Sequence, residues 1–387
     1  MSISVLLIEH ADVEGLYPFA LTHPSWQLRT GAFTVVERWA ACLPEATIHV
    51  HSHRSQHEAL YRASSAVGVA DIDQSRSLLV LVANCLLERS QIEHLAAECA
   101  AARRPSVVLC GTEYVGAILP SPPSNVELVS QALDEMQGQD VDVVHVDGMI
   151  IDRLWKILDR IASDVHLDAE LVSTRVHPQA HVHPTAILDE SKGPVIIDAG
   201  ADIGPYAVIQ GPCSIGTHAV VKPHAHITHS IIGPYCKVSG EISCSIFQGY
   251  ANKQHYGFVG HSIIGEWVNL GAGTTTSNLK NTYHSVKPRM PWGREDSGQM
   301  FLGSMIGDFT RTAIGTMLPT GGVYGVSSHI MSTGMASSSI RSFVWSDGVV
   351  YDRERSLQTC DVMMRRRGLS LTDQHIAVLD WVREHDV

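Results

Sequence analysis

Histidine is the residue type that first suggests chemistry in this chain of 387 residues. There are 22 of them, and His218, His224, His226, His229, His255 and His261 fall in one stretch. Neutral imidazoles bind Zn²⁺, and imidazoles titrating near neutrality move protons. Six-residue steps place His218 over His224 and His255 over His261. A zinc site needs three ligands converging on one ion at about 2.0–2.1 Å. Spacing alone does not show that convergence, so no metal ligands are assigned. A second chemistry-bearing segment lies between Thr275 and Met300, where Lys280, Lys287, Arg289 and Arg294 accompany Tyr283 and Trp292. Loops of this length inside compact domains are usually functional or disordered. The aromatic and basic content favours a binding loop.

The element that must position these residues announces itself by its period. Val176, Val182 and Leu188 are six apart, as are Ile197, Ile203, Ile209, Ile215, Val221 and Ile227, then Ile232 and Val238, then Phe258, Ile264 and Leu270. Neither an amphipathic helix nor an alternating strand has that step; a hexapeptide β-helix does. Each repeat is expected to lay one short strand on a face of a triangular prism, its aliphatic residue pointing inward. Gly204, Gly216, Gly233, Gly265 and Gly271 follow as tight corners.

Before the repeats, Ser4–Ile8, Thr47–His51, Leu78–Val82, Ser106–Cys110 and Val141–Val146 read as buried strands. Thr34–Cys42, Glu88–Ala102, Val126–Met136 and Ile150–Ile161 read as helices. This alternation implies an α/β layer with a mostly parallel sheet. Three parts follow: an α/β domain over residues 1–165, the β-helix over 172–335, and a C-terminal helical extension over 338–387. In the last, Arg353–Arg366 and Thr372–Glu384 look helical and could cover the final coil, whose open edge invites aggregation.

With 28 Lys plus Arg against 40 Asp plus Glu, the net charge is −12, which argues against nucleic acid as a partner. The N-terminal stretch lacks a basic start, and its apolar run is too short for a signal peptide or membrane span. The eight Cys contain no Cys-x-x-Cys pair, as expected of reduced thiols in a cytoplasmic protein.

Two stretches go beyond a generic prism. His255-Tyr-Gly-Phe-Val-Gly-His-Ser-Ile-Ile-Gly-Glu-Trp-Val-Asn-Leu-Gly-Ala-Gly-Thr-Thr-Thr-Ser-Asn278 resembles the acetyltransferase half of the bifunctional UDP-N-acetylglucosamine pyrophosphorylase/glucosamine-1-phosphate acetyltransferase family. Pro18-Phe-Ala-Leu-Thr-His-Pro-Ser-Trp-Gln-Leu-Arg-Thr-Gly31, with Leu154-Trp155 and Gly249–His255, looks like a divergent bacterial branch of it. The resemblance implies a nucleotidyltransferase-like α/β domain followed by a left-handed parallel β-helix, acetyl-CoA as cosubstrate, a sugar phosphate or nucleotide sugar as partner, and a homotrimer with sites between prisms. It places the general base on His255, which would take a proton as the sugar amine attacks the thioester. Asn269 falls on a sugar-holding residue, and Lys253, Lys280 and Lys287 are candidates to neutralise sugar phosphate. Asn278 and Ser304 fall near the acyl-CoA. For each of these the bland alternative is a corner or loop residue. Arg365-Arg366-Arg367 is either a solvated helix end or a contact for CoA phosphates.

The departures matter as much. Phe258 and Leu279 replace family tyrosines, and Ser243 stands roughly where a substrate lysine would be, so the sugar pocket is expected to be altered. In place of the Gly-rich phosphate loop, the first strand runs into Leu7-Ile-Glu-His-Ala-Asp-Val-Glu-Gly15. Asn84 takes the place of an Mg²⁺-binding aspartate; its carbonyl still ligates but adds no charge. Arg29, with Thr30 and Gly31, either replaces the lost nucleotide contacts or packs a helix start. Two other functions therefore stay open beside N-acetyl transfer with or without nucleotidyl transfer: a γ-class carbonic anhydrase-like zinc enzyme, and a non-catalytic nucleotide-sensing scaffold.

Overall fold

The computed structural model describes residues 3–10, 12–64, 72–136 and 141–387; Met1, Ser2 and Ala11 of the stretches read above lie outside the described residues. The chain divides into two compact units. The first holds residues 1–15, 23–28 and 33–152; the second holds residues 16–22, 29–32 and 153–387. Arg29, Thr30 and Gly31 therefore belong with the β-helix, although they lie within the N-terminal 165 residues.

The first unit is a six-stranded sheet built from β1 (Ser4–Ile8), β2 (Thr47–His51), β3 (Leu78–Val82), β4 (Glu113–Leu119), β5 (Ser106–Cys110) and β6 (Asp142–Val146), in the order β2-β1-β3-β4-β5-β6. The five expected strands are present. The sheet is mostly parallel, as expected: β4 alone runs antiparallel to its two neighbours, and the other five strands share one direction. The sequence signal of β4 was weak: Glu113 and Tyr114 are exposed and only Val115–Leu119 is buried. Helices α1 (Val35–Cys42), α2 (Ser55–Ser64), α3 (Arg89–Ala101) and α4 (Glu127–Glu135) accompany the sheet. Thr34 caps α1 in a reciprocal box with Glu37.

The segment read as a helix over Ile150–Ile161 crosses from the first unit, which ends at Asp152, into the second. Only Leu154–Arg160 is helical there, as a 3-10 turn, and it continues into α5 (Ile161–Leu171). The left-handed parallel β-helix follows. Its faces are one parallel sheet of eight strands, from Val195–Ile197 to Ser339–Ile340, and two of five strands, extended by short parallel ladders. Ile203, Ile209, Ile215, Val221, Ile227, Ile232, Val238, Ile264 and Leu270 line one continuous core. Each such side chain, fully buried, contributes roughly 1.5–3 kcal/mol.

Two entries in that column differ from the hexad reading. Val259, not Phe258, points inward opposite Ile242. Lys253 takes the position paired with Val238, and it is only 1% exposed. The parallel partners also show that vertical neighbours lie about one full coil apart, as Ile209 does from Ile227. Residues six apart occupy adjacent faces of the same coil. His218 thus stacks on Tyr235 and His224 on Tyr206, at different corners, and neither pair of histidines six apart is superposed.

One corner carries a ladder of rings: His218, Tyr235, Tyr250, Trp267 and Phe309, with centroid separations of 5.1, 5.0, 4.2 and 6.0 Å. All five residues have φ between 55° and 61°. A left-handed backbone costs a non-glycine residue about 1–2 kcal/mol, and each ring pair returns about 0.5–1.5 kcal/mol. Stacking thus offsets the strain. At the far end, α7 (Asp373–His385), which follows α6 (Arg353–Arg365), closes on the last coil. Asp386 accepts from the Ser342 amide at 3.2 Å and pairs with Arg341 at 2.8 Å, and the Arg383 guanidinium lies 4.1 Å over the Phe343 ring.

Candidate active site

His255 sits at an exposed corner between the strands Asn252–Lys253 and Phe258–Gly260. No described residue bonds its imidazole. Its main chain is held from within the prism, because the Lys253 ammonium donates to the His255 carbonyl across 2.7 Å. Burial pushes that ammonium down to about 8. Lys253 was expected to meet substrate phosphate at the surface; its inward hexad position instead commits it to this internal bond.

The next corner gathers a different set. Asn278 Nδ2 meets His261 Nδ1 at 2.9 Å, and the His261 ring stacks on Phe301 with centroids 5.1 Å apart. Accepting at Nδ1 leaves the His261 proton on Nε2. Burial, and then the charge of His229, holds this imidazole below its ordinary range, so it stays neutral near pH 7. Gly260 makes the arrangement possible. A Cβ there would lie 2.3 Å from Phe258 Cζ and 2.7 Å from Asn278 Nδ2. The structure thus joins Asn278 to His261, a residue that sequence reasoning weighed only as a zinc ligand. The Gly260-His261 pair, lying between Phe258 and the expected loop, was the available signal.

The excursion departs from and rejoins the coil at one antiparallel bridge, Leu279–Phe301. Val286 and Met290 are buried beneath it, and Arg289–Met290 pairs with Gly293–Arg294 as a small hairpin. Lys280 donates to the Ser285 carbonyl at 2.6 Å, and Lys287 pairs with Asp296 at 3.2 Å. Trp292 donates to Glu295 at 3.1 Å. The loop is thus tied within itself and, through Glu295 to Arg153 at 2.6 Å and Gln299 to Asp159 at 2.9 Å, to the segment that precedes the prism. Ser304 is buried, its amide donates to Ser262 Oγ at 3.0 Å, and its hydroxyl has no partner among the described residues. Asn269 is exposed, in a vertical row between Asn252 and Arg311.

In the second unit, the Arg29 amide donates to Gln248 Oε1 at 3.1 Å and its guanidinium to the Ala32 carbonyl. The Thr30 hydroxyl donates to buried Asp164, which also pairs with Arg160. In the first unit, the end of β1 carries buried Glu9 where a phosphate-cradling loop would begin. Glu9 accepts from the Ser25 amide at 3.0 Å and pairs with Arg54 at 2.6 Å. Asn84 follows β3; its Nδ2 donates to the Ile151 carbonyl at 3.1 Å, while its Oδ1 is buried without a partner. That oxygen is an available ligand, but among the described residues no three His, Cys, Asp or Glu side chains gather into a metal-holding group. A lone neutral oxygen does not fit a resident Mg²⁺, which takes oxygen ligands in octahedral array including carboxylates. Nothing among the described residues of this single chain favours the zinc reading. All eight cysteines are free, and no helix among the described residues is long and apolar enough to cross a membrane.

Residues 5–176 match the sugar nucleotidyl transferase family model. A bifunctional sugar-1-phosphate nucleotidylyltransferase/acetyltransferase of Sulfurisphaera tokodaii is 33% identical over 132 residues, 33% of this chain and 33% of that protein. The bifunctional protein GlmU of Rippkaea orientalis is 24% identical over 173 residues, 40% of this chain and 33% of the relative. That of Methanococcus aeolicus is 28% identical over 240 residues, 61% and 55% of the two chains. The matches thus span a third of the length of the first two relatives. They agree with the resemblance to the bifunctional pyrophosphorylase/acetyltransferase family.

Proposed function

We propose that this protein is an acetyl-CoA-dependent N-acetyltransferase acting on an amino sugar phosphate or nucleotide sugar. The observation that carries the reading is His255: an exposed, unengaged imidazole on a corner whose main chain is pinned from inside. In the reaction, the sugar nitrogen attacks the thioester carbonyl and forms the amide bond. His255 takes the proton that the nitrogen sheds, and the carbon–sulfur bond breaks to release CoA thiolate. Asn269 and Lys280 are proposed to hold the acceptor, with Lys287 engaging its phosphate on leaving Asp296. Asn278 and Ser304 are proposed to flank the acyl-CoA. The active assembly is proposed to be a cytoplasmic homotrimer. In the division of labour, the α/β domain of residues 1–165 handles nucleotide, residues 172–335 transfer the acyl group, and residues 338–387 cap the prism.

Thiol release from acetyl-CoA over a panel of amino sugar phosphates tests the reading. His255→Ala is expected to abolish release while leaving the melting temperature unchanged; full activity in that variant removes His255 from the role. Turnover of nucleoside triphosphate with sugar 1-phosphate and Mg²⁺ tests the N-terminal unit separately. There Glu9 puts a carboxylate at the strand end, and Arg29 and Thr30 lie in the other unit, bonded to Gln248 and Asp164, so a nucleotide-sensing role for the N-terminal unit is the second reading. Nucleotide binding without turnover would favour it.

A further inference from the structure

The outward row of one prism face runs Asp202, Val220, Lys237, Asn252, Asn269 and Arg311 on successive coils. Neighbouring strands lie about 4.7–4.9 Å apart, so Lys237 and Asn252 are side by side. The chain just beyond α6 comes down on this row, and Arg367 donates to Asn252 Oδ1 at 2.7 Å. The same oxygen accepts from Gln254 at 3.3 Å, which leaves both Asn252 amide protons uncommitted. Lys222 follows the strand next to Lys237, its amide bonded to the Val238 carbonyl at 2.9 Å. Arg366 adjoins Arg367.

Four cations thus meet on one patch: Lys222, Lys237, Arg366 and Arg367. None pairs with a carboxylate among the described residues. Arg365, by contrast, is tied to Asp361 at 2.7 Å and is not part of the patch. The Arg367 Nε is buried with no partner. A chain with net charge −12 has acids to spare, yet the carboxylate on this row, Asp202, stands two coils from Lys237 and pairs with His181 at 2.7 Å. Burial, and then the charges of Arg367, Lys222 and Arg366, hold the Lys237 ammonium below its ordinary range.

We infer that Lys222, Lys237, Arg366 and Arg367, with the Asn252 amide, form a binding site for a phosphorylated ligand, taking a phosphate or pyrophosphate group. Guanidinium and ammonium donors beside an amide suit a multiply charged oxyanion, and the ligand supplies the charge the patch lacks. The site stands on these contacts alone, whether or not His255 is the general base. The phosphate can come from the nucleotide end of CoA or from the acceptor sugar, and the choice is left to experiment.

Calorimetric titration of the full chain with inorganic pyrophosphate tests the inference against Lys237→Met, Arg367→Met and, as a control, the exposed Lys192→Met. Wild type and Lys192→Met are expected to bind alike. Each patch variant is expected to bind at least about tenfold more weakly, with a shallower dependence on salt concentration. Without ligand, Lys237→Met is expected to melt no lower than wild type, because a repelling charge has gone. Competition by adenosine 3′,5′-bisphosphate would place the CoA nucleotide here; competition by glucosamine 1-phosphate would place the acceptor. No saturable binding in the millimolar range, or equal affinity in all four proteins, overturns the site.

Discussion

The Lys253 ammonium reaches the main-chain carbonyl of His255 from inside a column of aliphatic side chains, 2.7 Å away. A buried cation with one carbonyl partner is costly, and replacing such groups by apolar ones of similar length often stabilises by about 1–4 kcal/mol. Lys253→Met is therefore expected to raise the melting temperature at pH 7. Its folded-state value of about 8 lies below the unfolded 10.5, so across that window the unfolded chain binds the extra proton. Wild-type stability then climbs with pH, and the advantage of Met shrinks. Melting curves at pH 7 and 9.5 check this; an undiminished gap refutes it. Acetyl transfer is expected to fall in the same variant, since the His255 corner loses its internal tether.

Gly260 gives room to two groups at once. Gly260→Ala drives a methyl toward Phe258 and the Asn278 amide and is expected to destabilise by about 1–3 kcal/mol. The Asn278–His261 bond should break with it. The ¹⁵N shifts of the His261 ring report that loss directly, and unchanged shifts would mean the bond does not depend on Gly260.

At Tyr250, φ is 55° and the ring lies between Tyr235 and Trp267. Alanine loses the stacking and keeps the backbone strain, whereas glycine loses only the stacking. Tyr250→Gly is thus expected to be the more stable of the two, by about 1 kcal/mol. That order reverses the usual one. Chemical denaturation of both variants decides it.

Glu9 and Arg54 form a buried pair with Ser52 and the Ser25 amide as further donors. Arg54→Met strands the carboxylate and is expected to cost about 3–5 kcal/mol. The double variant Glu9→Gln/Arg54→Met should recover much of it. A double variant as unstable as the single would mean the loss arises from packing and not from charge.

The hexad in the sequence was enough to read the prism, because a repeated aliphatic column has no other stable home. It misplaced Phe258 for Val259 because a lysine stands at the preceding inward position, where periodicity cannot register it. It also suggested histidine stacks that do not exist, since a one-dimensional period of six conceals the three-faced coil. In the first unit the five buried strands were legible from their apolar runs. Strand β4 was not, because it begins with the exposed Glu113 and Tyr114. Site chemistry was the least legible part. The roles of Lys253 and Arg29 depend on what lies one coil away or across more than two hundred residues of chain, as Gln248 does from Arg29.

The Leu279–Phe301 bridge has an evolutionary reading. Because the excursion leaves and rejoins the coil at one bridge, the residues between its anchors on Arg153 and Asp159 can change without rewinding the scaffold beneath. New acceptor preferences could then arise by exchanging one surface insert, while the stacked coils and their corner rings stay as they are.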